Sequence, residues 1–344
     1  MGKCRVGQGQ QLTSTGEGNL PINPATTTTM STTIYRPKSR EAWLELRKGG
    51  IGSSEVGTIL GLNKWQTPYQ LWRQKKGLDP APEESFAMRA GHYLEDAVSR
   101  FYADASGNEI IKASAGDLLI VNNEHPHLRV SPDRTYWPTG LSRRACNKGI
   151  VECKTTQMEV DGDSVPQHWF CQLQYQLGVA ELEQGAIAWL TAGREFGYRE
   201  FNLDRDFYAW MIEEVTRFWV DNILGDKEPL AINVEDVLLK NPRHIDGKVI
   251  TADEALIADC AALKEIREEL ATLDARKKEL EANIKMAMGD AEALIMPGVD
   301  KPLCTWRAGK ERTKFDEKQF AKDMPETFAK YQYTTPGSRT FLLK

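Results

Sequence analysis

Apolar residues recur at three- and four-residue spacing in six segments of the first 225 residues. This spacing is typical of helices that bury one face. Ser39 is expected to cap the first of these helices, and Ser53 or Ser54 the second. A serine hydroxyl at a helix start accepts hydrogen bonds from the free backbone N–H groups there. The predicted helices cover residues 39–48, 53–60, 67–76, 85–102, 166–179 and 205–223.

Short β-branched and apolar runs between these helices predict strands. They cover 109–113, 118–122, 185–190 and 198–203, with two more strands around Asp133 and Glu152. Strands alternating with helices predict an α/β fold, an α+β mixed sheet with helices around it.

The chain changes character after a polar break at 225–229. Residues 252–287 contain no Pro or Gly and space leucine and isoleucine by three, four and seven positions. This is a heptad pattern on a helix about 54 Å long, and it must bury its stripe against another helix, its own domain or a neighbouring subunit. The tail is predicted to add a strand at 304–307, a helix at 317–329 and a strand at 340–343.

These patterns divide the chain into five segments. Residues 1–33 are rich in Gly, Thr, Gln, Asn and Pro and are predicted to be disordered, with Met30 as an alternative start. The remaining segments are a globular domain at 34–225, a linker at 226–251, the long helix at 252–290 and a small α+β extension at 291–344.

Composition narrows the class of protein. No apolar run reaches the roughly 18 residues of a membrane span, so a soluble, intracellular protein is expected. The six cysteines show no C-x-x-C pair, which argues against a zinc knuckle. The net charge of −5 argues against a protein that coats nucleic acid with its whole surface. Between Ile34 and Leu78, however, nine basic residues face three acidic ones, which would attract a phosphate backbone.

Two carboxylates and a lysine form the candidate chemistry. Glu152 and Lys154 lie two apart on one predicted strand and therefore share a face, and the strand near Asp133 is predicted to pair with it. Mg²⁺ takes oxygen ligands and often only one or two protein carboxylates. Glu95 is a candidate third carboxylate, because it lies inside the apolar stripe of its helix, where an unpaired acid is costly. Isolated, such a pattern is also compatible with an ordinary surface ion pair.

A second candidate site lies near the start of the globular domain. Arg47 precedes the Gly52-Ser53-Ser54 opening of the second helix, where backbone N–H groups and the positive helix end suit a phosphate. On the helix at 166–179, Gln172 and Tyr175 lie one turn apart and could hydrogen-bond a nucleotide or the lysine.

These motifs together resemble the YqaJ and phage lambda exonuclease family of PD-(D/E)xK nucleases. The resemblance covers about residues 34–225 and rests on five motifs in order. They are Arg47 with Gly-Ile-Gly-Ser-Ser54-Glu, Arg89-Ala-Gly-His-Tyr-Leu-Glu95, Ser131-Pro-Asp133, Glu152-Cys-Lys154 and Gln172-Leu-Gln-Tyr175. It implies a restriction-endonuclease-like core, to which the long helix and small extension are added.

The resemblance also implies roles for individual residues. Asp133, Glu152 and the Cys153 carbonyl would bind Mg²⁺, with Mn²⁺ as a substitute, and Glu95 would hold a second metal or its water. Lys154 would position or deprotonate the attacking water, and Gln172 matches a glutamine of the active-site helix. The positions that match the receptor for a 5′-phosphate are Arg47, Ser54 and Ser131, and Tyr175 is a further candidate DNA contact.

The implied activity is 5′→3′ digestion of one strand of linear duplex DNA, which leaves a 3′ single strand for an annealing recombinase. Family members from phages form a ring-shaped homotrimer, and a homotrimer is therefore expected here. The resemblance also implies a phage or prophage protein that acts in the bacterial cytoplasm. The alternatives are a RecB-like, CRISPR-associated or endonucleolytic enzyme of the same fold, and a non-catalytic DNA-binding assembly protein. The RecB-like and CRISPR-associated enzymes are disfavoured because the clustered cysteines of an iron–sulfur site are missing.

Overall fold

The computed structural model describes residues 27–28, 31–80, 84–111, 118–143, 147–161, 164–335 and 337–344. The chain forms two compact units, Met1–Asp236 and Val237–Lys344. Most of the predicted disordered segment, including Met30, lies outside the described residues. Its end does not match the prediction, because Thr32 and Thr33 belong to a strand.

The first unit combines helices with short strands. Its helices are α1 (Arg40–Lys48), α2 (Ser53–Ile59), α3 (Pro68–Lys75), α4 (Phe86–Ser106), α5 (Gln167–Ala180), α6 (Arg205–Arg217), a π-helical continuation (Phe218–Leu224) and the start of α7 (Val234–Lys240). Its strands are β1 (Thr27–Thr28), β2 (Thr32–Tyr35), β3 (Ile51–Gly52), β4 (Glu109–Ile111), β5 (Leu119–Asn122), β6 (Leu128–Val130), β7 (Arg134–Trp137), β8 (Gly149–Thr156), β9 (Gln184–Thr191) and β10 (Glu195–Asn202). All six predicted helices are present.

The strands form two five-stranded sheets where the sequence predicted one. The first has the order β1-β2-β5-β6-β3 and the second β10-β9-β8-β7-β4. In the second sheet β8 and β9 are parallel, and α5 makes the crossover between them, while the other pairs are antiparallel. The α/β prediction is confirmed.

Strand β8 is buried on both faces. Val151 and Cys153 pack with Val98 and Tyr102 of α4 on one face. On the other face Ile150 packs with residues of α5. The sheet is therefore held between two helices, and a polar residue on the α5 face of β8 is enclosed by protein.

The apolar stripe predicted for α4 is only half buried. Val98 is fully buried, but Phe86 and Tyr93 are 78% and 80% exposed. The cap of α2 also differs from the prediction. Gly52 precedes the helix, and the Glu55 carboxylate accepts from the Gly52 N–H at 2.8 Å, which leaves Ser54 free of a capping role.

The second unit contains the predicted long helix, α8 (Glu254–Met288), whose Asp253 side chain accepts from the Leu256 N–H at 2.9 Å. A two-stranded sheet follows, formed by β11 (Ala293–Ile295) and β12 (Pro302–Thr305), of which the first was not predicted. The predicted helix at 317–329 is divided into α9 (Glu317–Asp323) and α10 (Pro325–Lys330), since Pro325 opens a new helix. Residues 340–343 form no strand.

Candidate active site

The candidate site lies where β7 and β8 separate. The two strands pair from Tyr136↔Gly149 to Arg134↔Val151 and no further. Asp133 comes immediately before β7, and its Oδ2 accepts from the Cys153 N–H at 2.8 Å. This side chain therefore replaces the strand partner that β8 loses, and it lies beside Glu152.

Lys154 and Glu152 form a short hydrogen-bonded pair. Lys154 Nζ lies 2.7 Å from Glu152 Oε1 and 2.8 Å from Gln172 Oε1. Gln172 Nε2 donates to the same Glu152 oxygen at 2.6 Å. The prediction that Glu152 and Lys154 share a face is confirmed, but this face is not open to solvent: the Glu152 side chain is 2% exposed.

The electrostatics of the site follow from burial and crowding. Burial raises the pKa of Asp133 well above its ordinary value, and the Glu152 and Glu95 carboxylates raise it further. Burial alone would lower the pKa of Lys154, but Glu152 and Asp133 outweigh burial and raise it. Lys154 is therefore a stable cation beside two carboxylates that repel each other.

Glu95 lies nearby without joining the two other carboxylates. Its Oε2 is 3.9 Å from Arg134 Nη1, and burial is the main reason that its pKa is raised. Among the described residues no group of three His, Cys, Asp or Glu side chains is arranged to hold a metal ion. Glu95 is therefore not grouped with Asp133 and Glu152 as one set of metal ligands, and its role in holding a second metal or its water stays a prediction.

Asp133 and Glu152 fit Mg²⁺ even without Glu95. A hard cation of this size is often bound through only one or two protein carboxylates, with water and substrate phosphate as the other ligands. Asp133 and Glu152 supply oxygen atoms on neighbouring strands. The donor set suits Mg²⁺ or Mn²⁺ better than zinc, because the Cys153 thiol points to the apolar α4 side and its pKa is raised by burial.

Gln176 is a site residue that was not predicted from the sequence. It lies one turn beyond Gln172 on α5, is fully buried, and donates from Nε2 to Glu152 Oε2 at 2.7 Å and to Ser53 Oγ at 3.2 Å. Its Oε1 is the one buried side-chain N or O atom in the described part of the chain that has no hydrogen-bond partner. The four-residue spacing of the two glutamines was the available signal.

The second candidate site is built around Trp43. The Arg47 guanidinium lies 4.6 Å from the centroid of the Trp43 ring, and Arg47 Nη2 donates to Ser54 Oγ at 3.2 Å. A Cβ atom on Gly52 would lie 2.6 Å from Arg47 Nη2, so a larger residue at position 52 would require the guanidinium to move from its present place against the loop. Trp43 Nε1 donates to Ser131 Oγ at 2.9 Å, which brings all three predicted phosphate-binding residues to one place.

The structure changes the interpretation of two residues that were predicted to contact DNA. Tyr175 is fully buried and its hydroxyl donates to the Ile51 carbonyl at 2.9 Å, so it supports the loop before α2 and cannot contact DNA. The Ser131 hydroxyl donates to the Leu118 carbonyl while accepting from Trp43. It therefore cannot offer its proton to a phosphate in this arrangement.

Residues 42–183 match the family described as the YqaJ-like viral recombinase domain. This part of the chain is similar to a YqaJ-like domain. It contains both candidate sites, and the match together with the arrangement of Asp133, Glu152 and Lys154 supports a nuclease of the PD-(D/E)xK fold.

Similarity extends beyond the YqaJ-like domain. The uncharacterized protein YqaJ of Bacillus subtilis is 29% identical over 313 residues, which cover 86% of this chain and 92% of that protein. The alkaline exonuclease LHK-Exo of Laribacter hongkongensis in complex with dAMP is 16% identical, with a TM-score of 0.42, and covers 58% of this chain and 97% of that one. A phage-related exonuclease from Haemophilus somnus is 13% identical, with a TM-score of 0.38, and covers 52% and 96% respectively.

Gln176 is expected to set the metal requirement of the site. Gln176→Leu removes a donor from Glu152, and loss of such an outer contact typically costs about 10- to 100-fold in metal affinity or activity. We expect a higher Mg²⁺ concentration for half-maximal activity. Gln174→Leu is the matched control, because Gln174 is equally buried on α5 but bonds to the Asn202 carbonyl and the Asp204 N–H. Equal Mg²⁺ requirements in the two variants would contradict the role of Gln176.

Asp133→Asn is expected to raise the thermal stability of the protein in EDTA at pH 8. The raised pKa of Asp133 means that its contribution to stability is complete below the ordinary pKa and is lost as the pH rises through the raised value. Asparagine removes this loss and still accepts from the Cys153 N–H. We expect a gain of a few degrees in Tm, smaller at pH 5, measured by differential scanning calorimetry. A lower Tm for the variant at pH 8 would show that the carboxylates do not repel each other.

Proposed function

We propose that this chain is a divalent-metal-dependent exonuclease that digests one strand of linear double-stranded DNA from its 5′ end. The product would be a 3′ single strand for phage-type recombination by strand annealing. The proposal is supported by the YqaJ-like domain and above all by one observation, the hydrogen-bonded Glu152, Lys154 and Gln172 side chains beside Asp133.

Each residue has a distinct part in the proposed reaction. Asp133, Glu152 and the Cys153 carbonyl would hold Mg²⁺, which when bound lowers the pKa of a water ligand and stabilises charge on the phosphate. Gln172 and Glu152 fix the position of Lys154 Nζ. A lysine whose pKa is raised keeps its proton, so we favour positioning of the attacking water and stabilisation of phosphate charge over deprotonation of the water.

Recognition of the 5′ end is proposed for Arg47 with Ser54. The Arg47 side chain is 27% exposed, so it is held by Trp43 and still reaches solvent. An arginine fork on an aromatic ring presents two N–H groups to a phosphate in a fixed geometry. Lys75 is nearby but bonds to Glu55 at 2.8 Å and to the Gly50 carbonyl at 2.7 Å. Its side chain is only 8% exposed, so it supports the loop. Arg47 is 4.0 Å from Glu55 but more exposed, so the phosphate contact is assigned to Arg47.

The proposed setting is the cytoplasm of a bacterial host. The partners are DNA ends, an annealing recombinase and further copies of the chain, with a ring-shaped trimer as the expected form. No helix among the described residues is long and apolar enough to cross a membrane.

Digestion of end-labelled DNA tests the proposal. A linear duplex labelled separately at its 5′ and 3′ ends is incubated beside a closed circular duplex, with Mg²⁺ or with EDTA. The expected result is early loss of the 5′ label, an intact circle and no reaction in EDTA. Cutting of the circle would indicate an endonuclease of the same fold, and binding without cutting of either DNA would indicate an assembly protein.

A further inference from the structure

The long helix α8 exposes the apolar stripe that its sequence predicts. We call the α8 seam the residues Leu256, Leu263, Ile266, Leu270, Leu273, Leu280 and Ile284. Leu270 and Leu273, at its centre, are 59% and 60% exposed, and Leu280 is 54% exposed. Helices in folded proteins gain most of their stability from packing of such an apolar face. A helix of 35 residues with this seam exposed therefore lacks the surface that should cover it.

The heptad register of the seam is fixed by its spacing. Leu256, Leu263, Leu270, Lys277 and Ile284 occupy the a positions, seven residues apart. The d positions are Asp259, Ile266, Leu273, Leu280 and Ala287. Heptads sustained over more than three or four repeats predict a coiled coil. The polar residues Lys277 and Asp259 then decide how a second helix lies against the seam.

A parallel pair of α8 helices would bring like charges together in the core. Each a or d layer of a parallel pair contains the same residue twice, so Lys277 would oppose Lys277 and Asp259 would oppose Asp259. An antiparallel pair instead places a residues against d residues. Centred so that Leu270 meets Leu273, it sets Lys277 beside Ile266 and Asp259 beside Ile284 of the second copy.

The flanking charges give the same result. In the parallel alignment Glu269, at position g, would repel Asp274, at position e of the other helix, and this would offset the attraction between Arg276 and Glu281, the next g and e pair. In the antiparallel alignment g positions face g and e positions face e. Glu269 then meets Arg276, and Arg267 meets Asp274, and each contact occurs twice by symmetry.

The residues involved are available for such contacts. In the described part of the chain Arg267, Glu269 and Arg276 form no ion pair within the helix. Asp274 is 2.7 Å from Lys278, which is an exposed pair that can be shared. Lys277 lies 3.8 Å from Glu281, so its charge is partly compensated in either alignment.

From these observations we propose that α8 binds a second copy of α8 in an antiparallel coiled coil, with Leu270 and Leu273 at its centre. An antiparallel pair has twofold symmetry and joins chains two at a time. It is therefore separate from any ring contact of the first unit, and it would link two chains or two rings through their second units.

Charge reversal on the full chain tests both the contact and its direction. Glu269→Arg would oppose the new guanidinium to Arg276 in the antiparallel pair, whereas in a parallel pair it would create an attraction to Asp274. We expect Glu269→Arg and Arg276→Glu each to weaken association by about tenfold. The double variant should restore it, and high salt should reduce the differences. Sedimentation equilibrium over a range of concentrations measures the association.

Glu268→Arg is the matched control, because it carries the same change one residue earlier on the outward f position. It should associate like the wild type, and circular dichroism should show equal helix content in all variants. Tighter association of Glu269→Arg would establish a parallel pair and overturn the proposal. So would an unchanged mass of Leu270→Lys with Leu273→Lys, since the seam would then be covered by something other than a second copy.

A distance measurement decides the direction independently. A spin label on Cys260, which is exposed on α8, would lie about 35 Å from its counterpart in the antiparallel pair, given 1.5 Å per residue. In a parallel pair the two labels would lie within roughly 10 Å of each other, the separation of packed helices. The label is placed in a chain whose Cys4, Cys146 and Cys304 are replaced by serine, and the short distance would overturn the proposal.

Discussion

Lys154→Ala is expected to reduce hydrolysis of linear duplex DNA by about 10²- to 10⁴-fold while leaving DNA binding intact. The range is that of a positioned side chain acting on the transition state. The physical reason is that the Lys154 ammonium is fixed by Glu152 and Gln172 and kept charged by the two carboxylates. The measurement compares single-turnover rates with binding of the same duplex in Ca²⁺.

The control for this change is Lys148→Ala. Lys148 lies just before the same strand and is exposed, with its Nζ 5.3 Å from the centroid of the Trp137 ring. Its loss should leave the rate near that of the wild type. Lys154→Met keeps the length of the side chain and separates lost chemistry from lost packing. If Lys154→Met cleaves DNA at the wild-type rate, the ammonium has no part in the reaction.

The candidate site could be predicted where it depends on local geometry. Alternation along a strand puts Glu152 and Lys154 on one face whatever the rest of the fold does. The pairing of β7 with β8 was also predictable, because the two strands are close in sequence and joined by a turn. For these residues the spacing in the chain already determines the spacing in space.

The rest depends on contacts between distant segments. Tyr175 faces the Ile51 carbonyl, 124 positions away, and no local pattern distinguishes such a buried hydroxyl from one that meets DNA. The role of Gln176 depends in the same way on Glu152. The half-exposed apolar stripe of α4 shows the same limit for apolar residues. Helical periodicity identifies an apolar face but does not say what covers it. That is also why α8 could be predicted as a helix while its partner could not.

Arg47→Ala is expected to remove the preference for a 5′-phosphate over a 5′-hydroxyl end. A bidentate arginine–phosphate contact is charge-assisted, and loss of a hydrogen bond to a charged group costs about 1.5–3 kcal/mol, or roughly 10- to 100-fold in rate at low substrate concentration. The preference is measured as the ratio of kcat/KM for the two kinds of DNA end. Arg47→Lys should recover only part of it, because an ammonium keeps the charge and loses the fork.

Arg40→Ala is the matched control, since Arg40 contacts the same ring, with its Cζ 4.3 Å from the Trp43 centroid, but lies on the exposed start of α1. If both variants lose the preference, the cause is general attraction of DNA to this basic segment. If only Arg47→Ala loses it, the terminal phosphate is read where Arg47 meets Ser54. The proposed 5′→3′ polarity would then have a structural origin, because a phosphate bound there would select the 5′ end of the strand.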